Sequence, residues 1–185
     1  MVLKIAIIAL VHMVKSYKER EKSFSLVEIL VVVSIILLFT GFSIANYSNF
    51  NQESILKKEV QKFIDVLSLV KTKAVTADID ILTDCGADEF GGYRIEINDS
   101  SYNFKQSCRD VDTKIISTFG TAIQSYNFPA NISKISGESS VDFYPLSAGA
   151  SRATVTIKNN SISKCIEISI SVNGVITAGD QATCS

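Results

Sequence analysis

Residues 29–39 read Ile-Leu-Val-Val-Val-Ser-Ile-Ile-Leu-Leu-Phe, the core of a run from Ile29 to Gln52 of 24 residues without a charge. A helix needs roughly 20 apolar residues to cross the hydrocarbon of a bilayer, so this stretch predicts a membrane-grade helix. Ahead of it, Lys4, Lys15, Lys18, Arg20 and Lys22 stand against Glu19 and Glu21, which gives residues 1–23 a net charge of +3. Phe24 to Ser185 holds 13 Lys and Arg against 17 Asp and Glu, a net −4. Cations beside a first membrane helix favour keeping that flank in the cytoplasm. The expectation is a single pass with the C-terminal part outside.

Downstream of the run, Leu56, Val60, Phe63, Leu67, Val70 and Ala74 recur in alternating steps of four and three, the spacing of an amphipathic helix stripe. Lys57, Lys58, Glu59, Lys62, Asp65, Lys71 and Lys73 fill the opposite face. No proline interrupts Ser25 to Ala77, so one helix of about 50 residues, apolar all round in its first half and on one side in its second, is predicted. Beyond Asp78 the texture is β. Tyr93 to Asn98, Tyr102 to Gln106, Lys114 to Phe119, Val141 to Tyr144 and Ala153 to Lys158 are rich in branched or aromatic residues. Gly91-Gly92 reads as a turn between such segments. Ile162, Ile166, Ile168, Ile170 and Val172 share one parity, and Asn173-Gly174 then leads into Val175-Ile176. Alternation ending in Asn-Gly is a strong hairpin signal. The fold expectation is α+β: a long N-terminal α-helix packed on antiparallel β-sheets.

At 185 residues and 46% hydrophobic the chain suits one modest domain and is too apolar to be disordered. Its four cysteines, Cys85, Cys108, Cys165 and Cys184, all fall in the part expected outside. Four cysteines allow three pairings. Sequence proximity favours Cys85 with Cys108 and Cys165 with Cys184, each worth about 2–4 kcal/mol. Residues 1–14 form a separate apolar segment too short to span; a start at Met13 would instead leave an eleven-residue hydrophilic leader, Met13 to Ser23.

Ser23-Phe24-Ser25-Leu26-Val27-Glu28-Ile29-Leu30, followed by the aliphatic run, resembles the processing signal of type IV pilins and type II secretion system pseudopilins. The order of strands after the helix, with Val141-Asp142-Phe143-Tyr144-Pro145-Leu146 and the closing Val172-Asn173-Gly174, is similar to the minor-pilin, H-type pseudopilin branch. The resemblance implies a leader at 1–23 cut by a prepilin peptidase between Ser23 and Phe24, with Phe24 then N-methylated. Ser23 stands where most members have glycine. Glu28 becomes the fifth mature residue and is implied to pair with the Phe24 amine of a neighbouring subunit during assembly. Residues 24–50 would be the transmembrane and filament-core half of the helix, 51–77 its amphipathic half and 78–185 a β-rich head. The implied partners are other pilin or pseudopilin subunits, the peptidase and the inner membrane. The implied location is the inner (cytoplasmic) membrane as a single-pass protein, then an extracellular or periplasmic filament.

Enzyme chemistry is not expected. The single histidine, His12, precedes the implied cut, which leaves no histidine for a catalytic triad or a metal site. No cofactor motif stands out, and no catalytic or metal residue is assigned. The acidic residues Asp78, Asp80, Asp84, Asp88 and Glu89 lack the spacing of a calcium loop. Phosphate binding needs clustered cations, whereas Val175 and Thr177 flank the region of the closing glycine and Lys158 with Lys164 is a weak pair. DNA binding is not expected. The rival reading is a secreted or membrane-anchored β-domain binding or adhesion protein with an ordinary signal peptide, for which Ser43-Ile44-Ala45 supplies small residues.

Overall fold

The computed structural model describes residues 25–79, 85–146 and 149–184, with the side chains of 41–46 and 117–118 left aside. The chain divides into two compact units, Met1–Ala45 and Asn46–Ser185, and helix α1, Leu26–Val75, contributes to both. Nine strands follow among the described residues: β1 Glu89–Ile97, β2 Ser101–Arg109, β3 Ile116–Asn127, β4 Ile132–Gly137, β5 Ser140–Phe143, β6 Ala153–Asn159, β7 Lys164–Ile170, β8 Ile176–Ala178 and β9 Ala182–Thr183. One sheet has the order β3-β2-β1-β5; the other runs β4-β6-β7-β8, with β9 also on β7. Every strand pairing in both sheets is antiparallel.

Strands outnumber helices nine to one among the described residues, so the α+β class expected from the sequence is corrected to a mainly β fold. The transmembrane half at 24–50 and the single-pass location in the inner (cytoplasmic) membrane are corrected with it. Among the described residues no helix is long and apolar enough to cross a membrane.

In the second unit the helical stripe and the strands build one core. Leu56, Phe63, Leu67, Val70 and Ala74 are fully buried and Val60 nearly so, as the alternation of fours and threes requires. They join Tyr93, Ile95 and Ile97 of β1, Tyr102 and Phe104 of β2, and Val155, Ile157, Ile166, Ile168 and Ile170 of β6 and β7 in a single cluster. Phe63 sits edge-on to Tyr102 with ring centroids 4.9 Å apart. Burying each large aliphatic side chain stabilises by about 1.5–3 kcal/mol. A polar clasp fixes the height of the helix: Asn131 Nδ2 donates to Gln52 Oε1 at 2.6 Å, and Asn159 Nδ2 donates to the Gln52 carbonyl at 3.0 Å. Asn159 is fully buried, so its amide needs these bonds.

The helix ends in a Schellman motif. Asp78 N–H donates to the Lys73 carbonyl and Ala77 N–H to the Ala74 carbonyl, with Ala77 at φ 49°. The Asn173-Gly174 turn joins β7 to β8, closed by Ser171 N–H donating to the Val175 carbonyl at 2.9 Å. Gly91-Gly92 is not a turn between strands. Both residues lie inside β1, where the register with β2 shifts between Phe90 and Gly92. Gly92 has φ 106°, and a Cβ there would collide with the Phe143 carbonyl of β5. Disulfides join Cys85 to Cys108 and Cys165 to Cys184, the pairing that sequence proximity favours.

Candidate functional site

Helix α1 begins at Leu26 with Ser25 in the capping position, its carbonyl accepting from Glu28 N–H at 2.9 Å and Ile29 N–H at 3.3 Å. Glu28 is therefore the third helical residue, exposed in the first turn. A carboxylate there faces the unpaired N–H groups and the positive end of the helix dipole. Ser25-x-x-Glu28 also has the spacing of a capping box, a local role for Glu28 that the assembly reading of the sequence does not include although the spacing signals it.

Behind Glu28 lies an apolar surface. Leu26, Val27, Ile29, Leu30, Val31, Val32, Val33, Ile35, Ile36, Leu37 and Leu38 are each between 44% and 79% exposed. They occupy every side of the helix rather than one stripe. A helix apolar all round is ordinarily buried in a larger assembly, and contiguous apolar patches beyond a few hundred Å² mark interaction sites. The polar side chains within it are already satisfied. Ser34 Oγ donates to the Leu30 carbonyl at 2.7 Å and Thr40 Oγ1 to the Ile36 carbonyl at 2.7 Å, so neither needs water or a partner.

The other candidate residues named from the sequence scatter. Ser23 and Phe24 lie outside the described residues, as do Asp80 and Asp84 of the acidic segment. Asp78 is engaged by Lys73, and Glu89 by Arg109 at 2.9 Å and Lys114 at 3.1 Å. These two cations, Lys114 the stronger, hold the Glu89 carboxyl below its ordinary pKa. No group of three or more metal-ligating side chains occurs among the described residues. Lys158 and Lys164 end neighbouring strands, where Lys158 faces Cys165 and Asn159 faces Lys164. Next to the Asn173-Gly174 turn, Arg152, Thr154, Ser169, Ser171, Val175 and Thr177 line a shallow groove of about 300 Å³ on the β6–β7–β8 sheet.

No family model, curated protein or solved structure matches the chain.

Proposed function

We propose that the protein is a non-enzymatic structural subunit of a type IV pilus-like or type II secretion-like filament, of the minor-pilin or pseudopilin kind. A leader ending at Ser23 would be removed by a prepilin peptidase, and α1 would then pack against the same helix of other copies. The observation that carries this reading is the exposure of Leu26 to Leu38 on every side of the helix. In the filament, neighbouring helices cover that surface and recover the burial, at about 25 cal/mol per Å² of apolar area. Glu28 sits at the head of this surface; opposite the new amine of Phe24 on an adjacent copy, it would fix the stagger between helices through a charge-assisted bond. The resemblance of Ser23 to Leu30 to the processing signal supports the same assignment.

The test is incorporation into filaments by Glu28→Ala and Ile36→Lys. Both variants should keep the thermal midpoint of the β-rich unit and lose incorporation, Ile36→Lys more severely because it places a charge in the packed surface. Normal incorporation of both would refute the proposal.

The secreted-domain reading has one observation in its favour: the boundary between compact units falls between Ala45 and Asn46, just after Ser43-Ile44-Ala45. Against it, α1 continues across that bond to Val75.

A further inference from the structure

A β-sheet edge exposes unpaired N–H and C=O groups, and folded proteins protect such edges with short strands, charges or covering segments. Three of the four edges here are protected in those ways. The outer side of β5 is met by the 149–151 segment: Ser151 N–H donates to the Asp142 carbonyl at 2.8 Å, and Ala150 bridges Phe143. The outer side of β4 is met by the β1–β2 turn, where Lys134 N–H donates to the Asp99 carbonyl at 3.0 Å and Lys134 Nζ to the Ile97 carbonyl. At the far side of the other sheet, the C-terminal tail lies along β7 as the short strands β8 and β9. Cys165–Cys184 fastens that tail covalently.

The fourth edge is β3. It is the longest strand, 12 residues reading Ile-Ser-Thr-Phe-Gly-Thr-Ala-Ile-Gln-Ser-Tyr-Asn, with no charge and no proline. Phe119 and Ile123 are each 37% exposed, and every residue from Thr121 to Ser125 is exposed. Among the described residues, the backbone of Phe119 to Asn127 makes no bond beyond its pairing with β2. The charges on the neighbouring strands are already partnered: Arg94 forks onto Asp142 at 2.6 and 2.7 Å, and Lys105 pairs with Glu96. Both cations also lie over the Phe119 ring, 4.0 and 5.0 Å from its centroid.

We infer that β3 is a self-association edge, pairing antiparallel with β3 of a second copy across a twofold axis. The charge pattern selects this occupant. An isologous contact sets the same strand against itself, residue i against j and j against i, so a strand bearing charges of one sign repels its own copy, whereas this one carries no charge. The register with β2 shifts in three places, after Phe104, after Lys105 and after Cys108, and is regular where Gln124 to Asn127 face Phe104 to Ser101. Pairing starts in that regular part and places Ser125 beside the axis. The inference concerns the β-rich unit and does not depend on the role proposed for α1.

The test uses the full chain in non-ionic detergent, which masks the helix, with the photo-crosslinker benzoylphenylalanine at Ile123. We expect an inter-chain cross-link mapping to β3 of the second copy. Ser125→Lys and Ser125→Glu should each lower its yield about tenfold, since like charges across a strand pair repel. Mixing the two variants should restore the yield, which shows that each folds. Cross-links to another segment, no inter-chain cross-link, or single variants that match the parent would overturn the inference. Loss of filament incorporation with the β3 cross-link intact would implicate α1 and leave this contact standing.

Discussion

Tyr102 is 1% exposed, and its hydroxyl has no hydrogen-bond partner among the described residues. Burial first, then the charges of Glu59 and Tyr126, drives its pKa far above the ordinary tyrosine value, so the phenol stays neutral. Its value to the fold lies in the ring, 4.9 Å from Phe63 and 5.1 Å from Phe128 between centroids. Tyr102→Phe keeps those contacts and removes an orphaned polar atom, so it should leave stability unchanged or raise it by about 1 kcal/mol. The urea midpoint measures this, and a clear loss would reveal an unrecognised hydroxyl partner. Carboxylates behave in the opposite sense. Glu138 accepts from Thr154 N–H at 2.7 Å and Asp110 from Thr113 N–H at 2.6 Å, and each is held below its ordinary value chiefly by that bond. Because the folded pKa is the lower one, their contribution is complete above the unfolded value, about 4, and disappears as pH falls through the folded value. Glu138→Gln should therefore lower the thermal midpoint somewhat at neutral pH and flatten its decline below about pH 4, so that the two proteins converge in acid.

Among elements, α1 is the most legible from sequence, because a stripe at steps of four and three admits one buried face. Leu67→Ala should cost about 2–5 kcal/mol by denaturant titration, since Leu67 is wholly buried. The helix end is less legible. Ala77 occupies the left-handed position of the C-terminal cap at φ 49°, where glycine is preferred and a Cβ costs about 1–2 kcal/mol. Ala77→Gly should raise the thermal midpoint. The strands divide by the origin of their signal. β6 and β7 alternate cleanly because one face meets the core, in buried and less-buried turns along Ala153–Asn159. β4, with Ile132 buried and Glu138 just beyond its end, carries no such alternation and escapes a sequence reading. Residues 120–127 of β3 escape it as well, because an exposed edge strand has no buried face to announce it. Gly91-Gly92 resembles a turn in sequence because the Phe143 carbonyl whose approach requires glycine there comes from a strand about 50 residues away. Local sequence does not encode that neighbour.

For the whole molecule, the β-rich unit is held by one core and two covalent loops. Replacing Cys165 and Cys184 together by serine should cost about 2–4 kcal/mol and speed amide exchange in the tail from Ile176 onward, as β9 has only two residues to keep it on β7. The membrane expectation is corrected at this scale, since among the described residues no helix is long and apolar enough to cross a membrane. Yet the same run leaves the apolar side chains from Leu26 to Leu38 exposed. Under the proposed function this surface becomes the core of a filament once the chain is cut before Phe24. The mass and N-terminal sequence of the mature protein from its native source test that claim most directly. We predict a chain beginning with N-methylated Phe24; a chain beginning at Asn46, or one retaining residues before Ser23, would contradict it.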